Sequence, residues 1–202
     1  MTVWRGQLPL ILASQSRARQ MLLANAGIDF EAVAAEIDER ALQQNSGFTS
    51  PNDIAAFLAR EKSCSVSRGY PGRYVVGADQ TLAHGTTLFS KPIGRIEAAE
   101  QLRALAGRTH TLHSAVAIAR DGRILFEAVA VAEMTMRRLG EPDITAYLNE
   151  AGEAVTSSVG AYQLEGLGIH LFERIEGDHF TILGLPLLQL LEFLRSARLL
   201  AI

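Results

Sequence analysis

Leu8-Pro9-Leu10-Ile11-Leu12-Ala13-Ser14-Gln15-Ser16-Arg17-Ala18-Arg19 is the stretch on which the reading of this chain turns. The apolar run predicts a buried strand over Leu8–Ala13. Hydroxyls and guanidinium groups follow at once, and then an amphipathic segment that closes at Gly27, which predicts a helix from about Ser16 to Ala26. A strand that feeds such a helix start is an anion site. The unpaired N–H groups and the helix dipole favour a phosphate there, and Arg17 and Arg19 add fork-shaped donors suited to phosphate oxygens. The expectation is an α/β domain that handles phosphate.

Working outward, Asp29–Ala34 reads as a strand and Glu36-Ile37-Asp38-Glu39-Arg40 as an acidic turn. Ser50-Pro51-Asn52-Asp53 is a helix start, with a capping serine and proline at the first position, and the helix runs to about Ser67. Tyr74–Ala78 predicts a buried strand ending in Asp79-Gln80, followed by a hairpin through His84-Gly85 and then Ser90-Lys91-Pro92. Arg95–Ala106 carries helical spacing. Thr111–Ala119 and Ile124–Met136 are strands joined at Asp121-Gly122, a strong hairpin signal. Glu141–Ala151 is a helix, Val159 to Gly168 is glycine-rich, Ile169–Glu173 is a strand, and Pro186–Arg198 is the last helix. No internal repeat or linker divides the chain, so the expectation is one domain over residues 1–202 with two lobes on a mixed sheet.

Composition narrows the function. At 202 residues and 48% hydrophobic, the chain can build a sizeable core. A net charge of −3, with both signs interspersed, argues against a basic nucleic-acid surface but not against a small anionic substrate. The single cysteine, Cys64, allows no intrachain disulfide and suits a reducing cytoplasm. The opening Met1-Thr2-Val3-Trp4-Arg5-Gly6 lacks signal-peptide character, and no apolar run is long enough for a membrane span.

Several residues could carry chemistry. Asp79 ends an apolar strand, the edge at which open α/β sheets bind ligands, so its carboxylate could hold a divalent cation or activate water; otherwise it caps a turn. Lys91, just downstream, would bring a cation to that edge. Glu36, Asp38 and Glu39 would repel each other unless solvated or sharing a cation. As a lone charge run they read as a solvated loop; with Asp79 they could complete a Mg²⁺ site. Lys62, inside a helix, reads as solvent-facing. The histidines show no zinc spacing: His110 and His113, three apart near a strand start, face opposite sides. Neither a Walker loop nor a complete Gly-x-Gly-x-x-Gly is present.

Together these segments resemble the Maf family of nucleoside triphosphate pyrophosphatases, which opens with Leu-Ala-Ser-x-Ser-Pro-Arg-Arg-x-x-Leu-Leu where this chain has Leu12 to Leu23. Further matches are Ile37-Asp38-Glu39, Ala59-Arg60-Glu61-Lys62, Gly77-Ala78-Asp79-Gln80, Lys91-Pro92, Gly160-Ala161-Tyr162, Glu165-Gly166, Ile175-Glu176-Gly177-Asp178 and Gly184-Leu185-Pro186-Leu187. The resemblance spans nearly the whole chain in order. It implies an elongated, two-lobed α/β mixed-sheet domain with a deep central cleft, as in inosine triphosphate pyrophosphatases. It also implies metal-dependent (Mg²⁺ or Mn²⁺) hydrolysis of a nucleoside triphosphate to monophosphate and pyrophosphate. Ser14, Arg19 and Lys62 fall on its substrate-binding positions, Glu39 and Lys91 on its catalytic ones, and Asp79 on its proton acceptor, with Glu39 and Asp79 as the metal carboxylates.

The chain departs from the pattern where the family's Pro-Arg is Arg17-Ala18. The family's base-selecting positions fall on Ala18, Gln80 and Glu165. Gln80 and Glu165 match the 7-methyl-GTP branch, and Ala18 matches neither that branch nor the one preferring dTTP and UTP. A carboxylate such as Glu165 can accept both neighbouring N–H donors of a guanine edge. Losing an aromatic at Ala18 removes a stacking surface for a cationic base. The expected partner is a nucleoside triphosphate, with neither nucleic acid nor membrane, and a homodimer is left open. Rival readings are a dTTP/UTP pyrophosphatase, a house-cleaning enzyme for inosine or xanthosine triphosphates, and a non-enzymatic nucleotide-binding regulator of septum formation.

Overall fold

The computed structural model describes residues 3–202; Met1 and Thr2, at the head of the stretch read as lacking a signal peptide, lie outside them. In chain order the elements are β1 (Leu10–Ala13), α1 (Arg17–Asn25), β2 (Phe30–Ala32), α2 (Glu39–Ser46), α3 (Pro51–Gly69), β3 (Val75–His84) and β4 (Thr87–Phe89). There follow α4 (Arg95–Leu105), β5 (Thr109–Arg120), β6 (Arg123–Met136), α5 (Glu141–Ala151), β7 (Phe172–Glu176), α6 (His179–Ile182) and α7 (Leu187–Ser196). Three short 3₁₀ turns, Gly152–Thr156, Val159–Ala161 and Leu167–Leu171, join α5 to β7. The strands form one mixed sheet in the order β2-β1-β3-β5-β6-β7, with β4 paired to β3.

The chain divides into two compact units. The first holds the residues up to Gln80, Ser114–Ala130 and Leu183–Ile202; the second holds Thr81–His113 and Val131–Ile182. In the first unit β1 is buried throughout, each of Leu10, Ile11 and Leu12 contributing roughly 2 kcal/mol by leaving water. It pairs in parallel with β2 (Leu10↔Phe30) and with β3 (Ile11↔Val75, Ala13↔Gly77), as strands connected through helices must. Helix α3 lies against β3 at Gly77. A Cβ there would sit 2.2 Å from the Ala59 carbonyl oxygen and 2.7 Å from the Ser63 nitrogen, so only glycine lets the two backbones meet. In the second unit Leu82, Leu102, Leu105, Leu112, Met134 and Met136 are fully buried in a separate core that also holds Tyr162.

Three expectations need correction. The acidic turn is the start of a helix: Asp38 accepts the Ala41 N–H at 3.0 Å and caps α2. Asp79 does not end its strand, because β3 continues to His84; the edge lies instead where β1 stops, opposite Gly77. The strand expected over Ile169–Glu173 begins at Phe172, since Ile169 lies in a 3₁₀ turn and is exposed.

Candidate functional site

The β1–α1 junction builds the first part of the site. Ser16 caps α1, its hydroxyl accepting the Arg19 N–H at 3.4 Å. Ser14, buried at the end of β1, accepts the Ser16 N–H at 3.2 Å and an Arg19 Nη1 hydrogen at 3.1 Å. Arg19 also donates from Nη1 to the Ala78 carbonyl at 2.8 Å and from Nε to the Gly184 carbonyl at 2.8 Å. The guanidinium thus ties the end of β1, β3 and the Gly184-Leu185-Pro186 turn together; Nη2 makes none of these bonds. Gly184 has φ 88°, and a Cβ there would come within 3.3 Å of Arg19 Nε. Arg17 is exposed and Ala18 half-buried on α1.

The second part is a charge cluster. Lys62 Nζ lies 2.7 Å from Asp79 Oδ1 and 3.0 Å from Glu39 Oε2. Lys62 is only 7% exposed, against the expectation of a solvent-facing helical lysine. The cause is local: with Ala59 and Ser63 flanking it on the helix surface pressed against Gly77, its side chain runs along the sheet rather than into water. Burial pushes the Asp79 carboxyl above the usual aspartate range, and the Lys62 and Arg19 cations oppose that shift. Burial likewise lowers the Arg19 guanidinium, against the pull of Asp79 and Glu39. Glu39 sits in the first turn of α2 with its side chain half in water, and Glu36 is exposed. One buried cation therefore gathers two carboxylates from two different elements.

Gln80 follows Asp79 on β3, and its Nε2 donates to the buried Ser114 hydroxyl at 2.8 Å. Ser14, Arg19, Glu39, Lys62, Asp79 and Gln80 all belong to the first unit.

Lys91 and Glu165 belong to the second unit, and both are exposed. Gln101, buried on α4, donates from Nε2 to the Ser90 carbonyl at 2.9 Å and accepts the Gly160 N–H at 3.1 Å. It thereby fixes the turn before Lys91 to the glycine-rich segment that leads to Glu165. Sequence reading missed Gln101, whose only signal is a lone amide on a helix stripe otherwise made of Ala and Leu. Ser114 was missed too, a hydroxyl inside an apolar strand. His110 is buried, and its Nε2 is 2.7 Å from the Tyr162 hydroxyl.

The donor set can be tested against a divalent cation. Among the described residues no group of three or more His, Cys, Asp or Glu side chains forms. The point that both carboxylates face is held by the Lys62 ammonium, and Mg²⁺, which takes one or two protein carboxylates and fills its remaining positions with water and phosphate oxygens, would draw on their other oxygens. Asp79 and Glu39 meet that description.

A family model described as Maf-like protein matches residues 9–197. The chain belongs to the Maf family. Among curated relatives, a protein of Bradyrhizobium diazoefficiens is 65% identical over 202 residues, with all of both chains covered, and one of Nitrobacter hamburgensis is 67% identical over the same span. Both are named nucleoside triphosphate pyrophosphatase. A Rhizobium johnstonii protein named 7-methyl-GTP pyrophosphatase is 53% identical over 190 residues, covering 93% of this chain and 95% of its own length. The solved structure of a HAM1 protein from Coxiella burnetii has a TM-score of 0.48 and 16% identity over 95% of this chain and 98% of that one. No helix among the described residues is long and apolar enough to cross a membrane.

Proposed function

We propose that this Maf-family chain hydrolyses a guanine-type nucleoside triphosphate, 7-methyl-GTP included, to the monophosphate and pyrophosphate with the help of a divalent cation. The chain is an enzyme, a nucleoside triphosphate pyrophosphatase, like the relatives matched over their whole length that share about two thirds of its residues. The observation that carries the mechanism is the buried Lys62, held at 2.7 and 3.0 Å between Asp79 and Glu39.

In this reading the triphosphate lies at the N-terminus of α1, beside Ser14 and the Nη2 side of Arg19, with Lys62 as a further cation. Mg²⁺ or Mn²⁺ held by Asp79 and Glu39 would neutralise charge on the phosphate oxygens. Asp79 takes a proton from the attacking water, its raised affinity for protons making it a stronger base than a free aspartate. The new bond forms at the α-phosphorus, and the bond to the bridging oxygen breaks. Lys62, freed of part of its partner's charge once Asp79 is protonated, offers its hydrogens to the departing pyrophosphate.

The base preference rests on Glu165. A carboxylate at Glu165 pairs with the adjacent N–H donors of guanine and leaves uracil or thymine with mismatched groups. The 7-methyl-GTP name of the Rhizobium johnstonii relative supports the same choice. A pyrophosphate-release screen over canonical, methylated and deaminated triphosphates with Mg²⁺ and Mn²⁺ tests the proposal. Guanine-type substrates should lead dTTP and UTP, and a pyrimidine preference would overturn it.

A further inference from the structure

Strand β6 presents an open edge. In the sheet it lies between β5 and β7, but β7 pairs with it only over Glu133–Met136. Among the described residues, no strand pairs on that side with the earlier residues of β6, which lie within the first unit. Natural sheets guard such an edge with charged side chains, lysine above all, with proline, a bulge or a covering element. The stretch Arg123-Ile124-Leu125-Phe126-Glu127 contains neither lysine nor proline, and its only charges are Arg123 and Glu127 at the two ends. Arg123, Ile124, Leu125 and Glu127 are all exposed, Leu125 at 45%. Only Phe126 is partly covered, stacked on Phe193 of α7 at 4.9 Å.

The sequence of this edge is complementary to itself. We infer that it pairs antiparallel with the same edge of a second copy of the chain, about a two-fold axis at Leu125. In that register Arg123 of each copy stands opposite Glu127 of the other, Leu125 meets Leu125, and Ile124 meets Phe126. Opposite charges and apolar neighbours facing each other across strands stabilise a ladder. Other registers conflict. An axis at Glu127 sets two carboxylates face to face, and an axis at Phe126 sets Leu125 against Glu127. An axis at Ala128 requires Glu133, which is already paired with Glu176 of β7. Glu127 also pairs with Arg60, but that bond is 3.5 Å long and exposed, a contact of little energetic weight that a cross-strand partner can displace. The symmetric contact is isologous and closes at two copies. A ladder of this length buries less than a standard interface, so the dimer is reversible and concentration-dependent.

Sedimentation equilibrium of the full chain, from low to high micromolar concentration, tests the inference. Wild type should pass from monomer to dimer. Arg123→Glu and Glu127→Arg each place like charges opposite each other and should raise the dimer Kd by about tenfold or more. The double variant R123E/E127R restores the pairing and should return the Kd to near wild type, which also shows that neither change prevents folding. A monomer at every concentration overturns the inference. So does a dimer indifferent to the single changes, or one that the double variant fails to restore.

Discussion

Gly77→Ala should damage this enzyme more than any other single methyl group added to the first unit. The new Cβ would lie 2.2 Å from the Ala59 carbonyl oxygen and 2.7 Å from the Ser63 nitrogen, and both are backbone atoms of α3. No rotamer relieves such a clash, so helix and strand must part by roughly 1 Å, an overpacking strain at the upper end of the usual range, about 3 kcal/mol. For a chain of this size that lowers Tm by roughly 10 °C. The same displacement acts on Lys62, which sits between Ala59 and Ser63 on the helix. Its 2.7 Å bond to Asp79 would stretch beyond hydrogen-bond reach. Two assays follow, urea or thermal unfolding and pyrophosphate release. Gly69→Ala is the control, because a Cβ there meets nothing within 4 Å, and its stability should change by no more than about 0.5–1 kcal/mol. A Gly77→Ala protein with wild-type Tm and wild-type kcat/KM would refute the claim that this glycine sets the Lys62–Asp79 geometry.

Asp79→Asn should lower kcat by roughly 10²–10⁴-fold while nucleotide binding persists, as single-turnover and equilibrium-binding measurements would report; normal turnover would remove Asp79 from the mechanism. Because burial raises the Asp79 carboxyl, the kcat/KM profile should fall with decreasing pH at a midpoint above the ordinary aspartate value of about 3.9. An acid limb at or below that value contradicts the burial argument. His110 is held down to about 4 by burial and by the neighbouring His84 charge. The unfolded chain therefore takes up a proton near pH 6.5 that the folded chain refuses. Stability should be full above pH 6.5 and fall by up to about 3 kcal/mol as pH drops towards 4. Urea midpoints across that range would show the slope, and His110→Gln should flatten it. Glu165→Gln should move base preference from guanine towards uracil or thymine by about tenfold or more in relative kcat/KM; an unchanged ranking would show that Glu165 does not read the base.

Much of this was legible in the sequence because the signals were local. The β1–α1 junction carries its cap, its hydroxyls and its apolar run in one contiguous stretch. Helix α3 announces itself with Ser50-Pro51, and the β5–β6 hairpin with Asp121-Gly122. What escaped depends on partners distant in sequence. Helical periodicity placed Lys62 in a helix but could not say that Gly77, fifteen residues on, would draw that helix face onto the sheet. Asp38 looked like one charge of a repelling run, whereas its role is to hold the Ala41 N–H. The role of Gln101 is set by Ser90 and Gly160 together, and no spacing rule connects the three.

The path of the backbone has a consequence of its own. The chain leaves the first unit inside β3, re-enters it inside β5, leaves again inside β6 and returns after Ile182. Three of those passages cut through strands rather than loops, so neither half can be excised as a contiguous fragment without severing hydrogen-bonded ladders. We propose on this ground that residues 1–202 are one inseparable domain. Such weaving resists shuffling of halves and truncation, because each half is assembled from separate stretches of chain.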